Sequence, residues 1–182
     1  MGVNMKKVTI SGHPGSGTST LVQGLCNHFS WSSINGGQIF RNEASERGMT
    51  LADFGELCSV DESVDLTLDE KLRVHILDNV TNVIESRLAG WWAYKLQSDC
   101  VRIWLRVSEN ERARRVTIRE GITVEEAINA NRLRLMVDNE RYQKMYGFTP
   151  DDPTPYTHII DATDITAEQV LAEALTLSLI HI

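Results

Sequence analysis

No apolar run in the 182-residue chain approaches the roughly 20 residues that cross a bilayer, so no membrane span is expected. Its three cysteines, Cys26, Cys58 and Cys100, lie far apart with no C-x-x-C pair. That spacing excludes a disulfide framework and a thiolate zinc site, and leaves reduced, buried thiols. With four prolines and no repeat, low-complexity tract or Pro/Gly/Ser-rich linker, one domain over residues 1–182 is expected. The opening Met1-Gly2-Val3-Asn4-Met5-Lys6-Lys7 has no apolar core of an export signal. Lys6 stands where a myristoylation motif built on Gly2 needs Ser or Thr. A cytoplasmic protein is therefore expected. Basic charge is also short: 18 Lys+Arg face 25 Asp+Glu, a net charge of −7, which disfavours wrapping nucleic acid or lying on anionic lipid.

What the chain does have is 42% apolar and 24% charged residues, enough for a real core. Its charge is uneven: the stretch from Arg102 to Lys144 holds ten basic and seven acidic residues, +3 within an otherwise acidic protein. An arginine-rich segment of this kind suits a compact polyanion; a solvated helical face is the plainer reading.

Val8–Ile10 is a short β-type run, followed by glycines and then an amphipathic helix with Leu21, Leu25 and Phe29 on one face. Helical stretches are predicted over Ile39–Arg47, Leu51–Leu57 and Val64–Asp78, with Gly48 between the first two. Strands are predicted over Val80–Ile84 and Val101–Val107, the latter alternating in pattern. Capping boxes Ser108–Glu111 and Thr123–Glu126 open two more helices, the second reaching about Tyr146 and stopping at Gly147. A last strand, His158–Asp161, precedes a helix over Ala167–Leu177. Strands separated by helices predict an α/β fold in three layers, a parallel sheet covered on both faces.

Gly12-His13-Pro14-Gly15-Ser16-Gly17-Thr18-Ser19-Thr20 has the G-x-x-x-x-G spacing of a phosphate-binding loop, between a strand and a helix. It is not the dinucleotide spacing. Its glycines let backbone N–H groups converge on phosphate oxygens, helped by the dipole of the following helix. Ser19 occupies the place of the hydroxyl that binds Mg²⁺. Thr18 stands where the usual lysine would be, so compensating charge must come from a metal or from arginines. A glycine-rich turn of a sugar- or cofactor-binding α/β protein is the bland alternative.

Arg112, Arg115 and Arg119 share one helical face, a repulsive arrangement unless an anion or acidic partner intervenes. Arg134, Asp138 and Arg141 stand at i, i+4, i+7 on the next helix, where Asp138 can orient both arginines; a surface ion-pair ladder reads equally well. Gly121 gives the joint between the two helices the freedom of a closing lid. Ligands of open α/β sheets bind beyond strand ends, which puts Glu85 and Arg87 beside the glycine loop. Asp65 and Asp69 lie at i, i+4 on one helical face, where capping or solvating the helix is the plain reading. Of the four tryptophans, Trp104 is expected in the core, while Trp91 or Trp92 could be core or pocket.

Together, the stretch Ile10–Thr20, the segments Gly37–Arg41, Arg47–Phe54 and Val64–Asp69, Glu85–Trp91, Arg119–Gly121 and Glu140–Gly147 resemble the archaeal-type cytidylate kinases, nucleoside-monophosphate kinases of the P-loop class. The resemblance covers about Val8 to Thr163. It implies a P-loop kinase fold with a small helical acceptor-binding insertion, residues 36–79, and an arginine-rich lid, residues 108–125. It also implies transfer of the γ-phosphoryl of ATP to CMP or dCMP with Mg²⁺, with Asp65 and Asp69, or Glu85 as a rival, the candidates to accept from the exocyclic amine of cytosine; a monomer with no nucleic-acid or membrane partner is expected. By similarity Arg41 and Arg87 hold the acceptor phosphate, Arg112, Arg115 and Arg119 belong to the lid, and Arg134 and Arg141 stand between donor and acceptor. Threonine at position 18 is common in that family. Ser86, where the family has glycine, and His13, read as facing solvent, are departures. The alternatives are a P-loop kinase for UMP, AMP or a metabolite, a non-catalytic nucleotide sensor, and RNA binding through the arginine-rich stretch.

Overall fold

The computed structural model describes residues 7–179; the export and acylation readings of Met1–Lys6 lie outside them. Strand β1 (Val8–Gly12) runs into helix α1 (Thr18–Phe29), followed by β2 (Ser33–Asn35). Three helices come next: α2 (Gly36–Glu46), α3 (Leu51–Val60) and α4 (Glu62–Leu77). The chain continues through β3 (Val83–Glu85), α5 (Ala89–Lys95), β4 (Val101–Arg106), α6 (Glu109–Glu120), α7 (Val124–Tyr146), β5 (His158–Asp161) and α8 (Ala167–Leu179). The strands form one sheet in the order β2-β3-β1-β4-β5, parallel throughout.

The apolar residues read from the sequence explain the layers. Leu21 and Leu25 of α1 and Val170 and Ala174 of α8 pack on one face of the sheet with Val8, Ile10, Ile103 and Leu105. On the other face Leu72 and Ile76 of α4 and Trp91 and Trp92 of α5 pack with Ile84 and Leu88. Both faces are covered, as expected of parallel strands. Trp91, Trp92 and Trp104 are all core residues.

Two elements were not anticipated. β2 is only Ser-Ile-Asn, too short for a periodic signal, and α5 is a seven-residue helix whose glycine and aromatics carry no helical stripe. The expected strand at Val80 begins at Val83 instead: Val80 is 74% exposed, and the carboxylate of Asp78 accepts from the N–H groups of Val80 and Thr81 in a turn. Lys7 explains the sharp return from α4 into the sheet. Its buried ammonium donates to the carbonyls of His75 (3.0 Å), Ile76 (2.7 Å) and Asp78 (2.5 Å), satisfying helix-end acceptors that have no partner within the helix.

At α7 the capping box forms as expected, Thr123 and Glu126 satisfying each other's backbone N–H. At α6 only half of one forms: Ser108 caps Glu111 N, while the Glu111 carboxylate turns to Arg114 and Arg115. Gly121, at φ +71°, ends α6 in the left-handed region. Arg132 of α7 makes a two-pronged bond to Glu109, both contacts 2.7 Å, clasping the two helices together.

Candidate active site

The loop between β1 and α1 is the floor of the site. Gly15 and Gly17 hold φ of +84° and +87°, a backbone that side chains rarely adopt. Gly12 cannot carry a side chain either: a Cβ there would lie 2.9 Å from the Thr18 methyl and 3.1 Å from Leu105 O. Gly17, the N-cap of α1, offers no side chain to the first-turn N–H groups, so they remain available to an anion, with the helix dipole behind them.

This loop faces a cleft of about 1050 Å³. Glu85, Ser86 and Arg87 at the end of β3 form one wall, and Asn35, Gly36, Gly37, Phe40 and Arg41 at the start of α2 form another. Arg115, Arg119, Arg134 and Tyr142 close it from the α6–α7 side. The arginines expected around a phosphate group therefore converge, with Arg112 and Arg141 as exceptions. A second cavity, about 530 Å³, lies on the other side of Ser16 and Gly17, bounded by Leu21, Arg114, Arg115 and the Thr163–Ala167 segment after β5. Arg115 borders both; it donates to Glu111 (2.8 Å), Ser16 O (3.0 Å) and Ala162 O (2.7 Å), which fixes its guanidinium.

Ser19 Oγ donates to Glu85 Oε1 at 2.7 Å. This pair joins the loop helix to the end of β3 and sets Glu85 against the Ser19 hydroxyl, at the edge of the cleft. A hydroxyl and a carboxylate in contact are the hard oxygen donors that Mg²⁺ takes, with phosphates and waters completing its shell, so these residues fit the ion.

Several expectations need correction. Arg112 does not face the cleft: it is 5% exposed, lies under the loop, and donates to Val107 O (3.3 Å) and Pro14 O (3.5 Å). Burial lowers its pKa. It shares the helical face of Arg115 and Arg119 but lies nearer the start of α6, where its own backbone and Cβ pack against Gly15 of the loop, and that packing buries it. His13 does not face solvent. Its ring packs edge-on against Trp104, centroids 5.0 Å apart, and Nε2 lies 3.7 Å from Asp151. Burial, seconded by Arg112 and Arg87, pulls its pKa down to about 4 despite Asp151, so it is neutral at pH 7.

Asp65 and Asp69 do not line the cleft. Both turn to α7, Asp65 to Arg141 Nη1 (3.2 Å) and Asp69 to the Tyr146 hydroxyl. Burial raises the pKa of each carboxyl. With Lys144 bonded to Glu62, acidic residues along α4 meet donors along α7, so the two helices are tied at three levels. Asp138 does pair with Arg141, Oδ1 to Nη2 at 3.5 Å, but its other oxygen contacts Arg87 rather than Arg134. Burial lowers the pKa of Arg87, opposed by Tyr142.

Sequence reasoning missed Phe40, Tyr142 and the Thr163–Thr166 segment. The last follows a strand end and was findable by the rule that located Glu85. Phe40 and Tyr142 had no such signal beyond adjacency to Arg41 and Arg141. Among the described residues no group of three His, Cys, Asp or Glu could hold a metal, and no helix is long and apolar enough to cross a membrane.

A parallel sheet with a glycine loop after β1, helices on both faces and arginines over the loop define a P-loop kinase. A protein-family profile described as an AAA domain matches residues 8–141. The cytidylate kinase of Halobacterium salinarum is 42% identical over 149 residues, 82% of this chain and 77% of that protein. The cytidylate kinase of Methanospirillum hungatei is 37% identical over 165 residues, 90% of this chain and 91% of its own. The crystal structure of a shikimate kinase from Bacteroides thetaiotaomicron gives a TM-score of 0.61 over 94% of this chain and 97% of that one, at 16% identity, a likeness of fold. The chain belongs to the cytidylate kinase family.

Proposed function

We infer that the protein transfers the γ-phosphoryl group of ATP to the phosphate of CMP, and of dCMP, forming ADP and CDP or dCDP. The observation that carries this reading is the convergence of a lysine-free glycine loop and four arginines of separate elements, Arg41, Arg87, Arg119 and Arg134, on one cleft. Kinship with cytidylate kinases supplies the acceptor.

In this reading residues 36–79 are the acceptor-binding insertion and 108–125 the lid, within a single domain that works as a monomer. The donor base enters the cavity beside Thr163–Ala167 and the triphosphate lies over the loop N–H groups. Arg41 and Arg87 grip the acceptor phosphate. Arg119 and Arg134 neutralise charge on the group in flight, with Arg115 holding the loop in place between the two cavities. Mg²⁺ held by Ser19 and Glu85 would neutralise the donor's β- and γ-phosphate oxygens. No general base is required, because the attacking phosphate oxygen is already ionised at neutral pH. The residues' task is alignment and charge stabilisation. With Thr18 in place of lysine, that task rests on the arginines.

The test is ADP release with ATP, Mg²⁺ and a panel of CMP, dCMP, UMP and AMP. Turnover led by CMP or dCMP is expected. No turnover with any pyrimidine monophosphate overturns the reading.

A further inference from the structure

We propose that Asp138 is an anion stand-in that keeps Arg87 engaged in the empty enzyme, so that a ligand must displace this carboxylate before Arg87 can bind it. The inference rests on the reading that Arg87 grips the acceptor phosphate, and adds a threshold to that grip.

Four side chains alternate in charge from the cleft wall to α4: Arg87, Asp138, Arg141 and Asp65. Arg87 Nη1 contacts Asp138 Oδ2, their side chains 21% and 11% exposed. Asp138 Oδ1 lies 3.5 Å from Arg141 Nη2, and Arg141 Nη1 lies 3.2 Å from Asp65 Oδ2. The Tyr142 hydroxyl accepts from Arg141 at 3.2 Å and also bonds Arg87. Arg87 borders the cleft, but Asp138 does not. The carboxylate therefore draws Arg87 back from the open side.

Three other cleft arginines are held differently. Arg115 is fixed on Glu111 and two carbonyls, Arg119 pairs with its neighbour Glu120, and Arg41 with the amide oxygen of Gln38. Arg87 has a buried carboxylate partner on a distant helix. Removing one partner of a buried ion pair ordinarily leaves a costly orphan charge. Here Arg141 remains on the second oxygen of Asp138, so departure of Arg87 leaves that carboxylate paired. The chain is built for one arginine to leave.

A cleft ringed with arginines and loop N–H groups would otherwise fill with any small phosphate. Displacing Asp138 weakens every anion by the same factor, the fraction of time Arg87 is free. Only a ligand with further contacts, as a nucleotide has with α2 and the cleft walls, still binds at useful concentrations.

The experiment titrates inorganic phosphate into the full-length protein and its Asp138→Asn variant by calorimetry. If Arg87 is free about one tenth of the time, the variant binds phosphate about tenfold more tightly. The gain must vanish in the double variant Arg87→Ala/Asp138→Asn. Unchanged or weaker binding in Asp138→Asn overturns the proposal, as does a gain that survives in the double variant. In the wild-type protein labelled with ¹⁵N-arginine, the Arg87 side-chain signal, assigned by its loss in Arg87→Ala, should report a restrained guanidinium before any anion is added; a freely rotating one also overturns it. The underlying reading is judged separately: an Arg87→Ala variant with an unaltered KM for CMP defeats that reading, whatever phosphate does.

Discussion

Ser19 Oγ and Glu85 Oε1, on the first turn of α1 and the last residue of β3, are hydrogen-bonded at 2.7 Å. The bond ties the phosphate loop to the strand after which Arg87 follows, so the loop and Arg87 share one anchor.

If that pair also holds Mg²⁺, Glu85→Gln and Ser19→Ala should raise the Mg²⁺ concentration for half-maximal activity by about tenfold or more. A Mg²⁺ titration of ADP formation at saturating ATP and CMP measures it. An unmoved midpoint in both variants removes the two residues from the metal site.

Arg87→Ala should lower kcat/KM for CMP by roughly 10²–10³, the usual consequence of losing a donor aimed at developing charge. KM for ATP should stay near wild type, because the loop and second cavity are untouched. Steady-state kinetics with each substrate varied in turn separates the two.

Asp65 separates base reading from positioning. Its carboxylate is spent on Arg141, so Asp65→Asn should depress turnover of CMP and UMP alike and leave their ratio within about twofold. A collapse of that ratio would show that Asp65 reads cytosine after all. The variant should also lose about 1–3 kcal/mol of stability, the range for an unsatisfied buried group.

His13 gives a pH signature. Its pKa falls to about 4 on folding, chiefly through burial, against about 6.5 in an unfolded chain. A base depressed on folding contributes its full stability above pH 6.5 and loses it as pH falls toward 4. The loss is bounded by about 3 kcal/mol. Urea titrations at pH 7 and pH 4.5 should show a larger fall for wild type than for His13→Asn; equal falls would place the imidazole in solvent.

Gly90 sits where α5 meets the Tyr156 ring, and a Cβ there would run into it, with Tyr156 Cδ1 at 2.9 Å. Both neighbours are fixed, since Gly90 N donates to Ser11 Oγ and the Tyr156 hydroxyl donates to Pro150 O. Gly90→Ala should therefore cost about 1–3 kcal/mol, the usual penalty of overpacking, read from the urea midpoint.

The sequence was most legible where one local rule decided the outcome. The glycine loop, the α7 capping box and the alternation of β4 follow from spacing alone, and the strand-end rule placed Glu85 and Arg87. It was least legible where partners come from distant segments. Nothing near Asp65 announces Arg141, and nothing near Asp138 announces Arg87, since the first pairing joins α4 to α7 and the second joins the turn after β3 to α7. Arg112 illustrates the limit within a helix: spacing grouped it with Arg115 and Arg119, and only packing beneath the loop decides which of them is buried. β2 escaped because three residues carry no period; its place in the sheet comes from its pairing with Val83–Glu85.

β1 is bonded to β3 on one side and β4 on the other, with Val8 opposite both Val83 and Val101 and Gly12 opposite Leu105. The phosphate loop thus precedes in the chain both strands that flank it. Contacts so distant in sequence close slowly. A nascent chain that ends within α4 contains the whole loop yet has no strand to set it, so ATP can stabilise the protein only after β4 has been made. For this chain, nucleotide rescue of a folding defect should depend on how much of it has been synthesised, with the threshold beyond Leu105, where Arg115 and the Thr163–Ala167 wall complete the second cavity.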